Sequence, residues 1–372
     1  MIQLNSIIRP VLLLLLLAPL PAAAGDSAVQ ILSESGNCPG CMLDGADLAG
    51  RNLAGADLSG ASLRGADLRR TILYKAVLRN ADLRGARLVD ASLGQADLSG
   101  ARLEGVSMPR ARLARSKLAG ASFANASLPQ ANLAGADLTR ADFSHADLAG
   151  GLLTNAVLEK ADLTGTSLRE ATLRQLDFSV VDSLAGADCR SALLYKARFA
   201  GLLLRGVRFD GADLESADFT GADLRSSSLA GAQLGGALLK DADLRGADLR
   251  NARIKSARLK GARLEQARLS RAQLGGNLVG MDFSGADLRY ANFSGANLKD
   301  ARFVDAELER ALFPEANLYA ADFTGANLKN ASFVKANLKN AVFEGSDLEG
   351  AVFRQARGLD GSLEEMAKRQ ED

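Results

Sequence analysis

A large apolar residue stands at every fifth position through most of this sequence. The series starts at Leu43 and runs without a break to Phe178, which makes 28 successive units of five residues. A period of five fits neither the roughly 3.6 residues of an α-helical turn nor the two-residue alternation of a β-strand. The chain must therefore turn within every unit and build a repetitive coil.

The series changes register twice. One extra residue within 179–183 moves the large residue to Leu184, and the new register continues to Leu274. A four-residue step to Leu278 then restores the first register, which ends at Phe353. The repeat therefore spans nearly the whole chain, and each interruption changes the length of only one unit.

The unit also has fixed small residues. A small residue, usually Ala, lies two positions before the large one, and Gly commonly lies two positions after it, as in the segment 56–60 (ADLSG). This segment and the segment 326–328 (ANL) match the consensus of the pentapeptide-repeat family, and the chain resembles that family over residues 43–355.

The resemblance implies an all-β fold, a right-handed quadrilateral β-helix of four pentads and twenty residues per coil, with short helical caps at its ends. In such a coil the large and small residues point inward and Gly eases the corners. Phe residues recur twenty positions apart in the last block, for example at Phe283, Phe303 and Phe323, which agrees with four pentads per coil. At about 4.8 Å per coil the rod is expected to be roughly 75 Å long.

The first 24 residues are typical of a secretory signal peptide. Arg9 precedes an apolar run over 11–18, and small residues at 22–24 offer a cleavage site. Because the stretch 10–24 contains three prolines and is shorter than the ~20 residues of a membrane span, we expect cleavage before Gly25 and no membrane span afterwards. The predicted location is periplasmic or secreted.

Two short segments flank the repeat and are predicted to cap it. Residues 25–42 form an N-terminal cap that contains Cys38 and Cys41, and residues 356–372 form a C-terminal capping helix. The register places both cysteines inward, so we predict a disulfide in an oxidising compartment. Free thiols and a redox-active pair remain the alternatives, whereas a zinc site lacks further nearby ligands.

Composition gives little support for catalysis or for a nucleic-acid partner. Without Arg9, the 44 remaining Lys and Arg residues balance 44 Asp and Glu residues. The single His145 falls at an outward corner, and no motif for a metal, a phosphate or a cofactor is present. We therefore predict no enzyme activity, no cofactor and no metal site.

Two sets of outward residues are candidate interaction sites. Aliphatic residues on two adjacent faces are a possible partner or homodimer surface: Ile72, Leu152 and Leu193 on one face, and Val77, Val157 and Leu238 on the next. Four arginines on successive faces form a possible anion-binding belt: Arg253, Arg258, Arg263 and Arg268. Both sets have a simpler interpretation, as isolated exposed side chains and as a solvated ladder of ion pairs.

The function predicted from these features is a structural or protein-binding scaffold of the cell envelope, with an unknown protein partner. The resemblance also suggests an alternative, since some pentapeptide-repeat proteins protect topoisomerases by imitating DNA. That role needs a strongly anionic rod in the cytoplasm. The neutral total charge and the signal peptide disfavour it.

Overall fold

The structure is a computed structural model that describes residues 26–368. Two helices lie at the ends of this part, α1 (Asp26–Ser35) and α2 (Gly361–Lys368). Between them the described chain contains isolated parallel β-bridges and no longer strands. A regular bridge joins residues twenty positions apart, as Met42 joins Ser62. The chain therefore winds as a stack of coils of four pentads, as predicted.

The difference from the predicted all-β fold lies in the length of the strands. Each pentad turns so soon that its outward residue is the one residue paired in the ladder before the next corner. At a typical corner the Ala46 N–H donates to the Leu43 carbonyl at 3.1 Å, while Gly45 has a φ of 68°. A positive φ at the third residue is the mark of a type II turn. Pairing is consequently limited to single bridges.

Glycine is not required at these corners. Lys75 and His145 take the same turn position with φ values of 58° and 57°. A left-handed backbone costs a non-Gly residue roughly 1 kcal/mol, but the turn is fixed by bonds to the next coil, such as Lys75 N–H to the Gly94 carbonyl at 3.0 Å. The stacking of coils therefore imposes the corner geometry on ordinary residues.

The core is a dry column of the large and small repeat residues, which are almost all fully buried. In the last block Phe293, Phe313 and Phe333 stack at centroid distances of 4.9 and 5.0 Å with nearly parallel rings. Rings from the opposite face, such as Phe303 and Phe323, meet Phe313 edge to face at 5.9 Å. Both arrangements are favourable for aromatic pairs.

The extra residue in the first register shift is Asp182. Val181 keeps the small inward position, and Ser183 pairs with Asp162, so this coil has 21 residues. One coil later, Leu202 occupies an inward site usually held by Ala, and its neighbour Leu203 is 73% exposed. The pairs that would link Val157 to Asp177 and Ser183 to Leu203 are missing from the ladder of the described chain. The insertion is thus absorbed by a local bulge that interrupts the ladder on two faces, and the regular ladder resumes beyond it.

The four-residue step also interrupts the ladder. Bridges there join residues 19 positions apart, as Gln273 joins Asn292. The pairs that would link Arg258 to Asn277 and Arg263 to Asp282 are missing from the ladder of the described chain. A cleft of about 450 Å³ lies at this gap. The shortened coil therefore opens the ladder on two faces while the core stays continuous.

The ends of the column are covered by the two helices. Ala28 and Leu32 of α1 are buried, whereas Ile31 is 41% exposed and does not contribute to the cap. In α2, Leu363 and Ala367 are buried, and Met366 is partly buried against the core. The predicted signal peptide, residues 1–24, lies outside the described residues. Within 26–368, no helix is long and apolar enough to cross a bilayer.

Candidate functional site

The bridges sort the outward residues into four faces, which we name by one residue in each. Face A contains Ser62, face B Asp67, face C Ile72 and face D Val77, together with the outward residues that follow them at one-coil intervals, most of which are joined by bridges. The two residues that follow each large residue, which are half-buried or exposed, form the turns AB, BC, CD and DA between faces. Face A is opposite face C, so the rod has two opposed sides that can be compared.

The predicted aliphatic residues lie on the faces assigned from sequence. Ile72, Leu152 and Leu193 belong to face C, and Val157 and Leu238 to face D together with Val77. Ile72, Leu152 and Val157 are exposed, whereas Val77, Leu193 and Leu238 are half-buried. Four coils separate Ile72 from Leu152, so these residues form a dispersed row and not one continuous apolar patch.

The four arginines of the predicted belt are all exposed and occupy faces C, D, A and B in turn. Arg268 approaches Asp248 at 3.4 Å and Arg263 approaches Glu265 at 3.4 Å. Asp243, which stacks beneath Arg263, instead pairs with Arg245 at 2.6 Å. A ligand on one face cannot reach all four guanidinium groups, so the belt does not form a single site.

The outward aspartates have a structural role that the sequence analysis did not identify. Their Oδ1 atoms accept the backbone N–H two residues on, as Asp57 accepts from Ser59 at 2.9 Å. Where Arg follows at that position, its side chain also binds the carboxylate, as Arg69 binds Asp67. Hydrogen bonds from Arg69 lower the pKa of Asp67 to about 2. The spacing D-L-R could have signalled this pair.

Charge is distributed unevenly around the rod, although the total is near zero. Face C with the turns BC and CD carries nineteen Lys and Arg residues and eight Asp and Glu residues, a net charge of +11. The nineteen cations are Arg69, Arg70, Lys75, Arg110, Arg112, Arg115, Arg169, Arg174, Arg190, Lys196, Arg250, Arg253, Lys255, Arg271, Arg289, Arg310, Lys329, Lys335 and Arg354. The eight anions are Asp90, Glu170, Asp210, Asp213, Glu215, Glu309, Glu315 and Glu349.

The opposite side is nearly neutral. Face A with the turns DA and AB, including Asp182, carries fifteen cations and sixteen anions. Its cations are Arg64, Arg79, Arg84, Arg102, Arg140, Lys160, Arg205, Arg225, Lys240, Arg245, Lys260, Arg263, Lys299, Arg302 and Lys339. Its anions are Asp44, Asp82, Glu104, Asp142, Glu159, Asp162, Asp182, Asp223, Asp241, Asp243, Glu265, Asp282, Asp300, Asp305, Asp322 and Glu344. Total charge and the outward positions alone do not predict this contrast, because many of the cations lie on the turns.

Most cations of turn BC are bound by carboxylates, but those of turn CD are not. Arg250, for example, pairs with Asp248 of face B at 2.7 Å. The seven cations of turn CD make no ion pair within the described chain, and neither do Arg112 and Arg253 of face C. Two of them lie beside tyrosine rings, Lys75 beside Tyr74 and Lys196 beside Tyr195. This edge of the rod is therefore a row of uncompensated positive charge.

All three cysteines are buried, two at the start of the rod and one within it. Cys38 and Cys41 are buried at the start of the first coil, with Cα atoms 5.4 Å apart and sulfur atoms in bonding contact. Cys189 replaces a core Leu, and burial raises the pKa of its thiol far above the ordinary value. His145 is exposed at a corner, as predicted. Within 26–368, no three His, Cys, Asp or Glu side chains cluster closely enough to hold a metal ion.

Comparison with solved structures finds several repeat proteins of low sequence identity. HetL, a pentapeptide repeat protein involved in heterocyst differentiation regulation in Nostoc sp. Strain PCC 7120, is 24% identical; the match covers 90% of this chain and 97% of HetL, with a TM-score of 0.16. Rfr23 from Cyanothece 51142 is 24% identical over 43% of this chain and 96% of that chain, with a TM-score of 0.19. QnrB1, a plasmid-mediated fluoroquinolone resistance protein, is 16% identical over 76% and 96%, with a TM-score of 0.19.

A search of curated proteins found no match. Two family models match most of the chain: pentapeptide repeats (8 copies) match seven overlapping or adjacent segments between residues 41 and 271, and the pentapeptide repeat region matches 277–353. Proteins of this kind are generally non-enzymatic structural repeats that form right-handed β-helices. The chain belongs to the pentapeptide-repeat family.

Proposed function

We propose that this protein is an exported, non-enzymatic scaffold of the cell envelope, built as a right-handed quadrilateral β-helix that binds other proteins along its faces. The observation that carries the proposal is the unbroken core beneath four regular faces. Each face repeats its outward position once per coil, at about 4.8 Å. Such a rod holds many side chains at fixed positions over a long distance, which suits a binding surface better than a pocket.

The distribution of residue types supports this proposal. The inward positions are used almost entirely for packing, and the outward carboxylates are engaged in turns and ion pairs. What distinguishes one face from another is the residue before each large one, and on face C these include exposed Ile72 and Leu152. Partner specificity would therefore lie in the pattern of outward residues along a face.

The test is a pull-down from native envelope extract with the rod as bait. We expect a reproducible protein partner, and we expect the double variant Leu152→Asp, Val157→Asp to lose it. The matched control is Ser122→Asp, Ser127→Asp on faces A and B, which adds the same two charges at outward positions. Circular dichroism checks that both variants are folded.

Three results would contradict the scaffold proposal. These are the absence of a protein partner, an equal loss of the partner with the control variant, and accumulation of the unprocessed chain in the cytoplasm. Cell fractionation with mass spectrometry of the amino terminus decides the last point. A terminus at Gly25 in the periplasm or medium is the expected result.

A homodimer through faces C and D is a further proposal, and the charge of this side weighs against it. Two copies that meet at turn CD would bring rows of unpaired cations together. We therefore expect monomers at low salt by multi-angle light scattering. A stable dimer that Leu152→Asp dissociates would show that the aliphatic row outweighs this repulsion.

The DNA-mimic alternative is tested by a gyrase supercoiling assay with a quinolone. A rod that imitates DNA needs an anionic surface, whereas one side of this rod has a net charge of +11. We expect no protection of gyrase. Protection by the purified rod would replace the scaffold proposal.

A further inference from the structure

The positive side of the rod carries its charge along two parallel edges. Turns BC and CD run along the rod on either side of face C, and each presents cations at intervals of one to four coils. Face C between them is almost uncharged, since its outward positions hold two Arg and one Asp. The result is a strip of weakly charged surface bordered by two cationic edges.

Exposed apolar and aromatic groups stand within this strip. Ile72, Leu152 and Leu312 of face C are 42%, 36% and 41% exposed. Tyr74 on turn CD and Tyr290 on turn BC are each 40% exposed. Tyr290 lies between the guanidinium groups of Arg271 and Arg310, at 5.5 and 5.6 Å. Aliphatic side chains at the centre with tyrosines and cations at the border are typical of surfaces that lie on a bilayer.

We propose that face C and the turns BC and CD form a membrane-binding surface that lies along an anionic lipid bilayer. Charge complementarity and the arrangement of the cations along two edges favour a bilayer as the occupant. A single anionic polymer chain would follow one edge, whereas a planar array of anionic headgroups contacts both edges at once. Exposed aliphatic residues between the edges can enter the interfacial region of a bilayer. A hydrated polymer offers these side chains no apolar region.

The cations are available for this contact. Those of turn CD make no ion pair within the described chain, and the acidic residues on the same turn are Glu215 and Glu315 alone. Acidic residues of face B neutralise part of turn BC, as Asp287 does for Arg289 at 2.8 Å. Turn CD therefore supplies most of the attraction, and each basic residue near an anionic bilayer raises binding roughly fivefold.

The experiment is co-sedimentation with vesicles, using protein recovered from expression of the full-length sequence. The vesicles contain either phosphatidylcholine alone or phosphatidylcholine with about one third phosphatidylglycerol. The test variant is Lys75→Gln, Arg115→Gln, Arg174→Gln, Lys255→Gln on turn CD. The control variant is Arg64→Gln, Arg140→Gln, Lys160→Gln, Lys339→Gln on the opposite side. Each variant removes two Lys and two Arg, and each changes two residues of positive φ.

We expect binding to the anionic vesicles and little binding to the neutral ones. The turn CD variant should lower the partition coefficient at least tenfold, and the control variant less than twofold. Raising the salt concentration should weaken binding, because the attraction is screened.

Three results would overturn the proposal. These are no binding to anionic vesicles, an equal decrease of the partition coefficient in both variants, and binding to soluble heparin without binding to vesicles. The last result would assign the side to an anionic polymer. The proposal does not depend on the identity of a protein partner, so failure of the pull-down leaves it intact.

Discussion

The phenylalanine column permits a quantitative test of how the core is stabilised. Phe313 and Phe123 are both fully buried, but within residues 26–368 Phe313 contacts four other rings and Phe123 contacts one, that of Phe143. Replacing a buried Phe by Ala costs about 3–5 kcal/mol through lost burial and the cavity left behind. Each aromatic pair adds about 0.5–1.5 kcal/mol. Three additional ring contacts therefore predict that Phe313→Ala costs at least about 1.5 kcal/mol more than Phe123→Ala.

The assay is urea unfolding followed by circular dichroism, together with hydrogen exchange of the peptides that contain each site. Hydrogen exchange is needed because a solenoid loses stability coil by coil and one global value can hide a local change. Leu318→Ala, one pentad after Phe313 and fully buried, is the control for cavity formation without ring contacts. Equal losses at Phe313 and Phe123 would refute the claim that stacked rings stabilise this block. No loss at either site would refute their inward placement.

Three further predictions test the register, the charges and the cysteines. Leu203→Asp should change the free energy of unfolding by less than about 1 kcal/mol because the Leu203 side chain is 73% exposed. Leu204→Asp should prevent folding of the coil because Leu204 is fully buried. Similar melting temperatures for the two variants would contradict the alternation of outward and inward side chains. Asp67 has a pKa of about 2 in the folded protein because Arg69 donates hydrogen bonds to its carboxylate. The stabilising effect of Asp67 is therefore complete above about pH 4 and is lost as the pH falls towards 2. The melting temperature should fall over that pH range, and it should fall less in Asp67→Asn. The native protein should resist alkylation at pH 8 because burial raises the pKa of Cys189. Without reductant, the unfolded chain should show one free thiol, that of Cys189. Three free thiols would exclude the disulfide in the N-terminal cap.

The coil was predictable from sequence because the repeat leaves little choice about which residues face inward. A spacing of five with a small residue two places earlier predicts both inward positions, and the structure buries almost all of them between Leu43 and Phe353. Near the C-terminal end, Phe343 and Leu348 are only partly buried. The face assignments also follow from counting, once the added residue near Asp182 and the short step before Leu278 are included. Isolated bridges in place of regular strands follow from the turn in every pentad.

The surface was less predictable. The candidate surfaces were predicted from the residue before each large one, whereas the cations of turn CD, such as Arg174 and Lys255, follow the large residue. The roles of the outward aspartates were not predicted either: Asp57 closes a local turn and Asp67 binds Arg69. These contacts depend on which corner a residue occupies and on its neighbours in the next coil. The opening of the ladder beside Arg263 depends on how a shortened coil is accommodated, which spacing alone does not determine.

Small-angle X-ray scattering of the purified protein tests most directly whether all the pentads form one continuous rod. Nearly sixteen coils at about 4.8 Å predict a maximum dimension of roughly 75 Å or more and a pair-distance distribution with the long tail of a cylinder. A globular protein of this length would have a radius of gyration near 20 Å and a maximum dimension of about 52 Å. A symmetric distribution that ends near the smaller value would contradict the account.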